Sequence, residues 1–289
     1  MKRSSFHSRL SPYLFLSPFI AVFLLFTAYP MLHSVVLAFQ QTDGPDVSVF
    51  VGLKNFQWIF TDPDFWKACK NTAFFSFGSV VVQIPAALGL AILLNRKDIA
   101  ARSIWRMIFF SPSLVGMAFV AILASIIFEK NTGMLNVTLN QMIGFNLEFP
   151  WMEQFVMASL IIAAFWMSVG FSMVYFLAAL QNVSKELTEA AMVDGAGPWS
   201  RFSHVTLPAI RQVCAFVILI SLVGSFQIFE LSYLLLGGGA GPNNQGLTIV
   251  MYLYMKGFDQ GDLGMASAVG WILASTLFVF AIIQKRVSG

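Results

Sequence analysis

Few residues in this sequence of 289 stand where they could do chemistry. Glu230 is the only carboxylate within long uncharged apolar runs, and such a group favours a functional role because its charge is costly in hydrocarbon. His7, His33 and His204 are scattered and form no H-E-x-x-H pattern, which argues against a catalytic zinc. The glycine-rich run 237–244 lacks the Lys of a Walker A loop. We therefore expect no catalytic residue, no metal ligand and no ATP hydrolysis by this chain itself.

The elements that must position Glu230 follow from an apolar composition. Hydrophobic residues make up 57% of the chain and charged residues 11%, whereas soluble proteins average about 45 to 50% and about 25%. Uncharged runs long enough to cross about 30 Å of hydrocarbon as helices recur along the chain. They cover 13–39, 72–94, 107–128, 155–180, 213–236 and 263–283. Because the runs are continuously apolar and do not alternate like barrel strands, the sequence predicts an all-α membrane protein with six transmembrane helices.

The distribution of Lys and Arg predicts how these helices are oriented. With the N-terminus inside, the cytoplasmic segments hold twelve of the 17 basic residues and the external segments hold five. Cytoplasmic loops carry such an excess, so both termini are expected in the cytoplasm. The run 13–39 is about twice as long as the apolar part of a signal peptide and lacks an A-x-A site, so we expect it to remain as the first helix. A formal net charge of +3 is too mild to indicate a nucleic-acid partner.

The loop at 182–211, on the predicted cytoplasmic side, is long enough to need a structure of its own. Ser184 can cap a short helix whose apolar face includes two small alanines. Asp194-Gly195 predicts a turn, and a second helix is expected to end at Leu207-Pro208. These features predict a helix-turn-helix along the cytoplasmic face. Taken alone, it could equally be an interfacial amphipathic helix or a close-packing surface for another protein.

The same loop resembles the EAA loop of binding-protein-dependent ABC importer permeases, written E-A-A-x3-G-x9-I-x-L-P. The fixed positions are filled, in order, by Glu189, Ala190, Ala191, Gly195, Val205, Leu207 and Pro208. Only Val205 departs from the pattern, where Ile is usual. The longer run Glu-Ala-Ala-Met-Val-Asp-Gly-Ala at 189–196, which includes Asp194, is similar to the carbohydrate-uptake branch of maltose and glycerol-phosphate type.

The resemblance extends over nearly the whole chain. Phe-Gln-Ile-Phe-Glu at 226–230 is similar to the F-x-x-F-D pattern of the family's fifth helix, with Glu230 in place of the usual Asp. The glycine run and Gly241-Pro242 resemble its G-G-P loop, interrupted by Ala240. The family implies the type I importer permease fold of the maltose and methionine permeases, with both termini cytoplasmic. It also implies two regions. Residues 1–70 hold the cytoplasmic N-terminus, the first helix and an external lead-in, and residues 71–289 form a core of five helices with the EAA loop.

What the family implies is one subunit of a larger machine in the bacterial cytoplasmic (inner) membrane. A second homologous permease subunit completes the path through the bilayer, two cytoplasmic ATPase subunits carry ATP and Mg²⁺, and an extracytoplasmic binding protein delivers the solute. This chain is then expected to bind no cofactor and no nucleic acid. Its EAA helix is expected to seat on one ATPase subunit, and the residues implied in that contact are Glu189, Ala190, Ala191, Asp194, Gly195, Leu207 and Pro208.

The solute implied by this branch is a sugar or sugar-like molecule, and alternatives stay open. An ABC permease of another branch would carry a phosphate ester or an amino acid. An ion-coupled secondary transporter would show paired intramembrane acids or bases and repeats of broken helices, and the single carboxylate Glu230 counts against it. A membrane-embedded enzyme would need a cluster of His, Asp or Glu, which the sequence does not suggest.

Glu230 is expected about six residues from the outer end of the fifth helix, roughly 9 Å into the membrane. It could accept hydrogen bonds from sugar hydroxyls or form a gate, or it could act as an interhelical lock to the partner permease. Gln227 lies one turn back on a neighbouring face. The rings of Trp166, Tyr175 and Tyr233 could stack on sugar faces, although packing or lipid contact would explain each of them singly.

Overall fold

A computed structural model describes residues 4–44, 47–144 and 148–288, and it is mainly helical. Its contacts divide the chain into two compact units. The first comprises Met1–Asp62 with Leu253–Ala274, and the second comprises Pro63–Tyr252 with Ser275–Gly289.

The first unit begins with an apolar helical segment. Helix α1 (Ser4–Phe23) continues through a π-helical turn (Leu24–Ala28) into α2 (Tyr29–Leu37). The wide turn comes just before Pro30, which has no amide hydrogen for the ordinary helical ladder. The stretch Pro12–Leu37 is long and apolar enough to cross a membrane.

A short antiparallel hairpin, which the all-α prediction missed, follows the first span. Strand β1 (Gln40–Asp43) pairs with β2 (Val47–Phe50), and helix α3 (Lys54–Thr61) comes next. The Asn55 side chain, fully buried, donates to the carbonyl oxygens of Ala38 at 3.0 Å and Gln40 at 2.8 Å. This bond pair fixes the chain where it leaves the first span. Strands of four residues are too short to give an extended apolar alternation in the sequence.

The second unit contains most of the long helices. In chain order its helices are α4 (Pro63–Asn95), α5 (Arg102–Phe110), α6 (Met117–Ile127), α7 (Met134–Ile143), α8 (Trp151–Gln154), α9 (Val156–Gln181), α10 (Lys185–Val193), α11 (Pro198–Arg201), α12 (Leu207–Phe226), α13 (Glu230–Leu235) and α14 (Ile249–Tyr254). Short 3-10 turns lie at Ser111–Leu114 and Pro242–Asn244, and a π-helical turn lies at Phe202–Thr206. The last two residues of α14 and the π-helical turn Met255–Asp259 belong to the first unit. Helix α15 (Leu263–Ser288) ends the described chain.

Among the described residues, five helical stretches could cross a membrane singly. They are Pro12–Leu37, Pro63–Asn95, Val156–Gln181, Pro198–Phe226 and Leu263–Arg286. The predicted span over 107–128 is not one continuous helix, because Arg102–Leu114 and Met117–Ile127 meet at 101°. Pro112 and the extended backbone of Gly116 interrupt the ladder there. The six predicted spans are therefore five continuous helices and one broken pair.

Close packing on α9 explains where this bend is held. A Cβ added at Gly170 would lie 1.9 Å from the carbonyl oxygen of Phe109, which belongs to the last turn of α5. Only glycine leaves room for that backbone approach. The end of α5 therefore rests directly on the middle of α9, and the two halves of the broken pair leave this contact in different directions.

The fifth span also differs from the prediction. A continuous helix over 213–236 is wrong, because α12 ends at Phe226 and α13 begins at Glu230. Phe229 between them has φ −141° and ψ −63°, outside the helical region. The freed polar groups find partners, since the Thr248 hydroxyl donates to the Ile228 carbonyl oxygen at 2.9 Å. Broken helices at membrane depth persist where such partners or a cavity are present.

Candidate transport cavity and coupling loop

The second unit encloses a cavity of about 700 Å³ among α4, α9, α12 and α13. Its lining combines methionine and aliphatic side chains with hydroxyl and amide groups, aromatic rings and one carboxylate. The polar members are Ser79, Gln83, Ser168, Ser172, Tyr175, Ser221, Ser225, Gln227 and Glu230, and the phenylalanines are Phe75, Phe171 and Phe229. No Lys or Arg is among the described residues that line it. The cavity is therefore suited to hydrogen bonding and ring stacking with an uncharged ligand.

Gln83 joins three helices at the wall of this cavity. Its amide nitrogen Nε2 donates to the Ser172 hydroxyl at 2.7 Å and lies 3.4 Å from the Ser221 hydroxyl oxygen. Gln83 is 7% exposed, so a buried amide is satisfied by partners on α9 and α12. One turn earlier on α4, the buried Ser79 hydroxyl has no hydrogen-bond partner among the described residues.

The serines of the lining and Gln83 were not predicted, because only charged and a few aromatic or amide residues of the spans were taken as candidates. A usable signal exists, because each of three helices contributes a pair spaced by four residues. The pairs are Ser79 with Gln83, Ser168 with Ser172, and Ser221 with Ser225. Residues four apart share one helix face. Polar pairs at this spacing inside an uncharged run therefore mark the face that looks away from lipid.

Glu230 is the first residue of α13 and lines the cavity with its carboxylate group exposed. The continuous fifth helix from which its depth of roughly 9 Å was expected is not found, because α12 ends at Phe226. Glu230 makes no hydrogen bond or ion pair with another residue in the described part of the chain. Within this chain it therefore does not act as an interhelical lock.

The other predicted path residues divide into two groups. Gln227 and Tyr175 line the cavity, and the Tyr175 ring meets those of Phe171 and Phe216 edge-on at 5.1 Å and 5.7 Å. Trp166 and Tyr233 are not among the lining residues: Trp166 is 44% exposed, and Tyr233 stacks on Phe229 with ring centroids 5.2 Å apart. The structure thus brings Glu230, Gln227 and Tyr175 together and leaves the other two outside the lining.

The loop between α9 and α12 begins as the sequence predicts. The Ser184 hydroxyl accepts from the Leu187 amide at 3.4 Å and caps α10. Glu189 and Ala190 are exposed on this helix, and Ala191 is half-buried. After Asp194, the chain turns at Gly195, whose φ of +80° favours glycine because a Cβ is strained there.

The second half of the loop is a single helix with the fifth span. The predicted end at Leu207-Pro208 is wrong, because the helix continues over Pro198–Phe226. The π-helical turn Phe202–Thr206 directly precedes Pro208, so the missing proline amide falls where the ladder is already widened. The outer surface of α10 and α11 keeps apolar side chains exposed, including Leu187 at 60%, Val193 at 89% and Trp199 at 77%. Such a cluster marks an interaction surface.

Comparison with known proteins agrees with this architecture. Residues 83–288 match the family described as "Binding-protein-dependent transport system inner membrane component". The chain belongs to this family of inner membrane transport components, and the resemblance noted in the EAA loop is confirmed.

Individual relatives cover nearly the entire chain. The arabinooligosaccharides transport system permease protein AraP of Bacillus subtilis (strain 168) is 38% identical, over 99% of this chain and 91% of that protein. The lactose transport system permease protein LacF of Rhizobium radiobacter is 31% identical, over 94% of this chain and 92% of that protein. Among solved structures, a chain of a bacterial ABC transporter for alginate import superposes with a TM-score of 0.82 at 26% identity, covering 96% of this chain and 94% of that one. The fold is therefore that of an ABC importer permease.

Proposed function

We propose that this chain is a permease subunit of an ATP-driven importer and forms part of the path for a neutral sugar or short oligosaccharide. The observation that carries the proposal is the cavity of about 700 Å³, lined by hydroxyls, amides and aromatic rings. Sugars present many hydroxyl groups and apolar ring faces, which such a lining can match by hydrogen bonds and stacking. The named solutes of AraP and LacF, arabinooligosaccharides and lactose, support a sugar for this chain too.

The charge of the cavity separates this proposal from the alternatives. A phosphate ester or another anionic solute would need compensating cations, and no Lys or Arg is found among the described lining residues. Glu230 adds one negative charge to the wall, which disfavours anions further. No specific observation favours an ion-coupled secondary transporter, since the carboxylate at Glu230 has no second acid beside it in the described lining.

The proposed assembly follows the family. A second permease subunit would complete the path, two cytoplasmic ATPase subunits would bind ATP and Mg²⁺ and dock on the exposed face of α10 and α11, and an extracytoplasmic binding protein would deliver the solute. A solved alginate importer has a periplasmic protein bound, which supports the last partner. The chain itself would bind no cofactor and would act as a non-catalytic subunit of the bacterial inner membrane.

The proposed function is tested by uptake in a strain that lacks this chain. We expect uptake of neutral labelled oligosaccharides, with arabinooligosaccharides and lactose as probes, to fall to background and to return on complementation. Uptake of an acidic oligosaccharide such as an alginate fragment should not change, because the cavity has no described cation to balance its charge. Unchanged uptake of all neutral probes, or loss of the acidic one alone, would contradict the proposal.

The proposed orientation, with both termini in the cytoplasm, gives a separate prediction. In a variant without Cys69 and Cys214, Ser184→Cys should react with a membrane-impermeant maleimide only after the cells are opened, because α10 is exposed and lies on the side rich in Lys and Arg. Thr138→Cys, on the exposed surface of α7, is the matched control and should react in intact cells. The reverse pattern would invert the topology.

A further inference from the structure

A second concave site, which we call the basic pocket, lies behind α10. It has a volume of about 620 Å³, and its charged lining consists of Lys97, Arg102, Arg106, Lys185 and Glu189. Lys97 comes from the loop after α4, Arg102 and Arg106 from α5, and the remaining two from α10. Three separate parts of the second unit therefore converge on one positively charged space.

The positive charge in the basic pocket is not balanced by the protein. No ion pair joins Glu189 to any of the four cations in the described part of the chain. The nearby Asp98 is paired with Arg96 at 2.5 Å, on side chains that are 60% exposed. Its hydrogen bond with Arg96 also lowers the pKa of Asp98, so this carboxylate stays ionised and engaged outside the pocket lining. Four cations thus face a single carboxylate.

A buried donor in the same place lacks an acceptor. Arg106 donates through Nη2 to the Leu94 carbonyl oxygen at 2.7 Å, which fixes its guanidinium group. Its Nε is buried and has no hydrogen-bond partner among the described residues. Buried guanidinium donors are normally satisfied, and an unpaired one is costly. An acceptor that reached this guanidinium group would lie beside three other cations, which favours an anion.

Helix α5 places this pocket near a lipid surface. Arg102 and Arg106 are four residues apart and therefore share the face that lines the pocket. The other sides of α5 expose Ile104, Trp105 and Ile108, each about half exposed. Because the broken pair bends by 101°, α5 lies nearly perpendicular to α6. If α6 crosses the bilayer, α5 lies along the membrane interface. A helix with one basic face and one apolar face suits that position.

We propose that the basic pocket binds a phosphate-bearing anion, which bridges α5 and α10. The shared chemistry is a phosphate group, which can come from the headgroup of an anionic phospholipid or from a free phosphate. Lys and Arg groups near a membrane surface attract such headgroups. Binding would draw Lys185 on α10 and Arg102 on α5 toward one anion and so stabilise the position of α10. The binding stands on these residues alone, whereas its effect on ATPase coupling rests on the proposed function.

The test measures binding to the purified full-length chain. Dissociation constants for short-chain phosphatidylglycerol, short-chain phosphatidylcholine and inorganic phosphate are compared for the native chain, Arg102→Gln/Lys185→Gln and Arg96→Gln. We expect the native chain to prefer phosphatidylglycerol to phosphatidylcholine, and the double variant to lose about thirtyfold in affinity for the anion because two attractive charges are removed. Arg96→Gln, which removes one positive charge outside the pocket, should change little.

The outcomes distinguish the source of the phosphate. Phosphatidylglycerol binding that inorganic phosphate does not displace identifies the lipid, whereas phosphate binding that depends on Arg102 and Lys185 in the absence of lipid identifies a soluble anion. If the double variant misfolds, Lys185→Gln alone serves, because Lys185 is exposed. Equal affinities in all variants would overturn the proposal. The proposal would also be overturned if neither phosphatidylglycerol nor inorganic phosphate binds and the double variant loses ATPase binding. The pocket would then be a contact with another protein. Sugar uptake is not measured, so failure here leaves the proposed function standing.

Discussion

Replacing Gly195 with proline should reduce solute uptake by about one to two orders of magnitude while the protein remains in the membrane. Gly195 has a φ of +80°, which proline cannot adopt, and its amide donates to the Met192 carbonyl oxygen at 3.1 Å. The variant would lose this bond and change the angle between α10 and α11. Coupling free energies between sites are about 1–3 kcal/mol, or 5- to 150-fold, which sets the expected loss. Uptake and ATPase copurification are measured together.

Two further variants make that test specific. Gly197→Ala is the matched control: Gly197 has an ordinary φ of −66° and open space around a Cβ, so uptake should stay near normal. Glu189→Lys reverses an exposed charge on α10 without burying anything and should weaken ATPase copurification as well as uptake. Normal uptake with normal copurification in either Gly195→Pro or Glu189→Lys would show that this loop does not couple the ATPase to transport.

Truncating Glu230 to alanine should lower uptake by about 5- to 150-fold, and Glu230→Gln should retain partial uptake. Glu230 lines the cavity without a hydrogen-bond partner in the described chain, so its carboxylate is free to accept from solute hydroxyls. Alanine leaves those donors unpaired at a cost of about 1–3 kcal/mol, whereas glutamine keeps one acceptor of similar size. The initial uptake rate of a neutral oligosaccharide is the measurement.

Complex stability separates a solute contact from a structural role of Glu230. Glu153→Gln makes the same chemical change on an exposed side chain outside the cavity and should leave uptake unchanged. Binding of solute to the external protein and docking of the ATPase should be normal in all variants. If Glu230→Ala transports normally, the residue is not in the path. If the assembled complex instead melts at a lower temperature whatever the solute, Glu230 is a lock between the two permease subunits.

The sequence predicted those features that depend on local patterns. The spans 72–94 and 155–180 correspond to α4 and α9 within one residue at their ends or inside them, and the cap at Ser184 and the turn at Gly195 are found in the structure. Each of these depends on a continuous apolar run or on a residue type with a fixed conformational preference. Such signals need no knowledge of what packs alongside.

The missed features depend on tertiary partners. An apolar run does not reveal that Gly116 is extended or that α12 stops at Phe226, because the freed backbone groups are paired by residues distant in sequence. The Ile228 carbonyl oxygen, for example, accepts from Thr248, twenty positions later. The sequence shows the polar pairs on three helices, but only the tertiary structure shows that Gln83 meets serines of α9 and α12.

The unbroken helix Pro198–Phe226 connects the exposed loop directly to the cavity wall. From Pro198 to Ser221 it spans about 23 residues, or roughly 35 Å at 1.5 Å per residue. If the exposed end of this helix beside Trp199 tilts, the far end near Ser221 would therefore move as well and displace the cavity wall. The helix does not end at Pro208, so the movement would not stop there. The helix ends at Phe226, and α13 with Glu230 is a separate element. It can therefore stay in place while the wall formed by the long helix moves. A movement of α10 and α11 would thus change the width of the cavity.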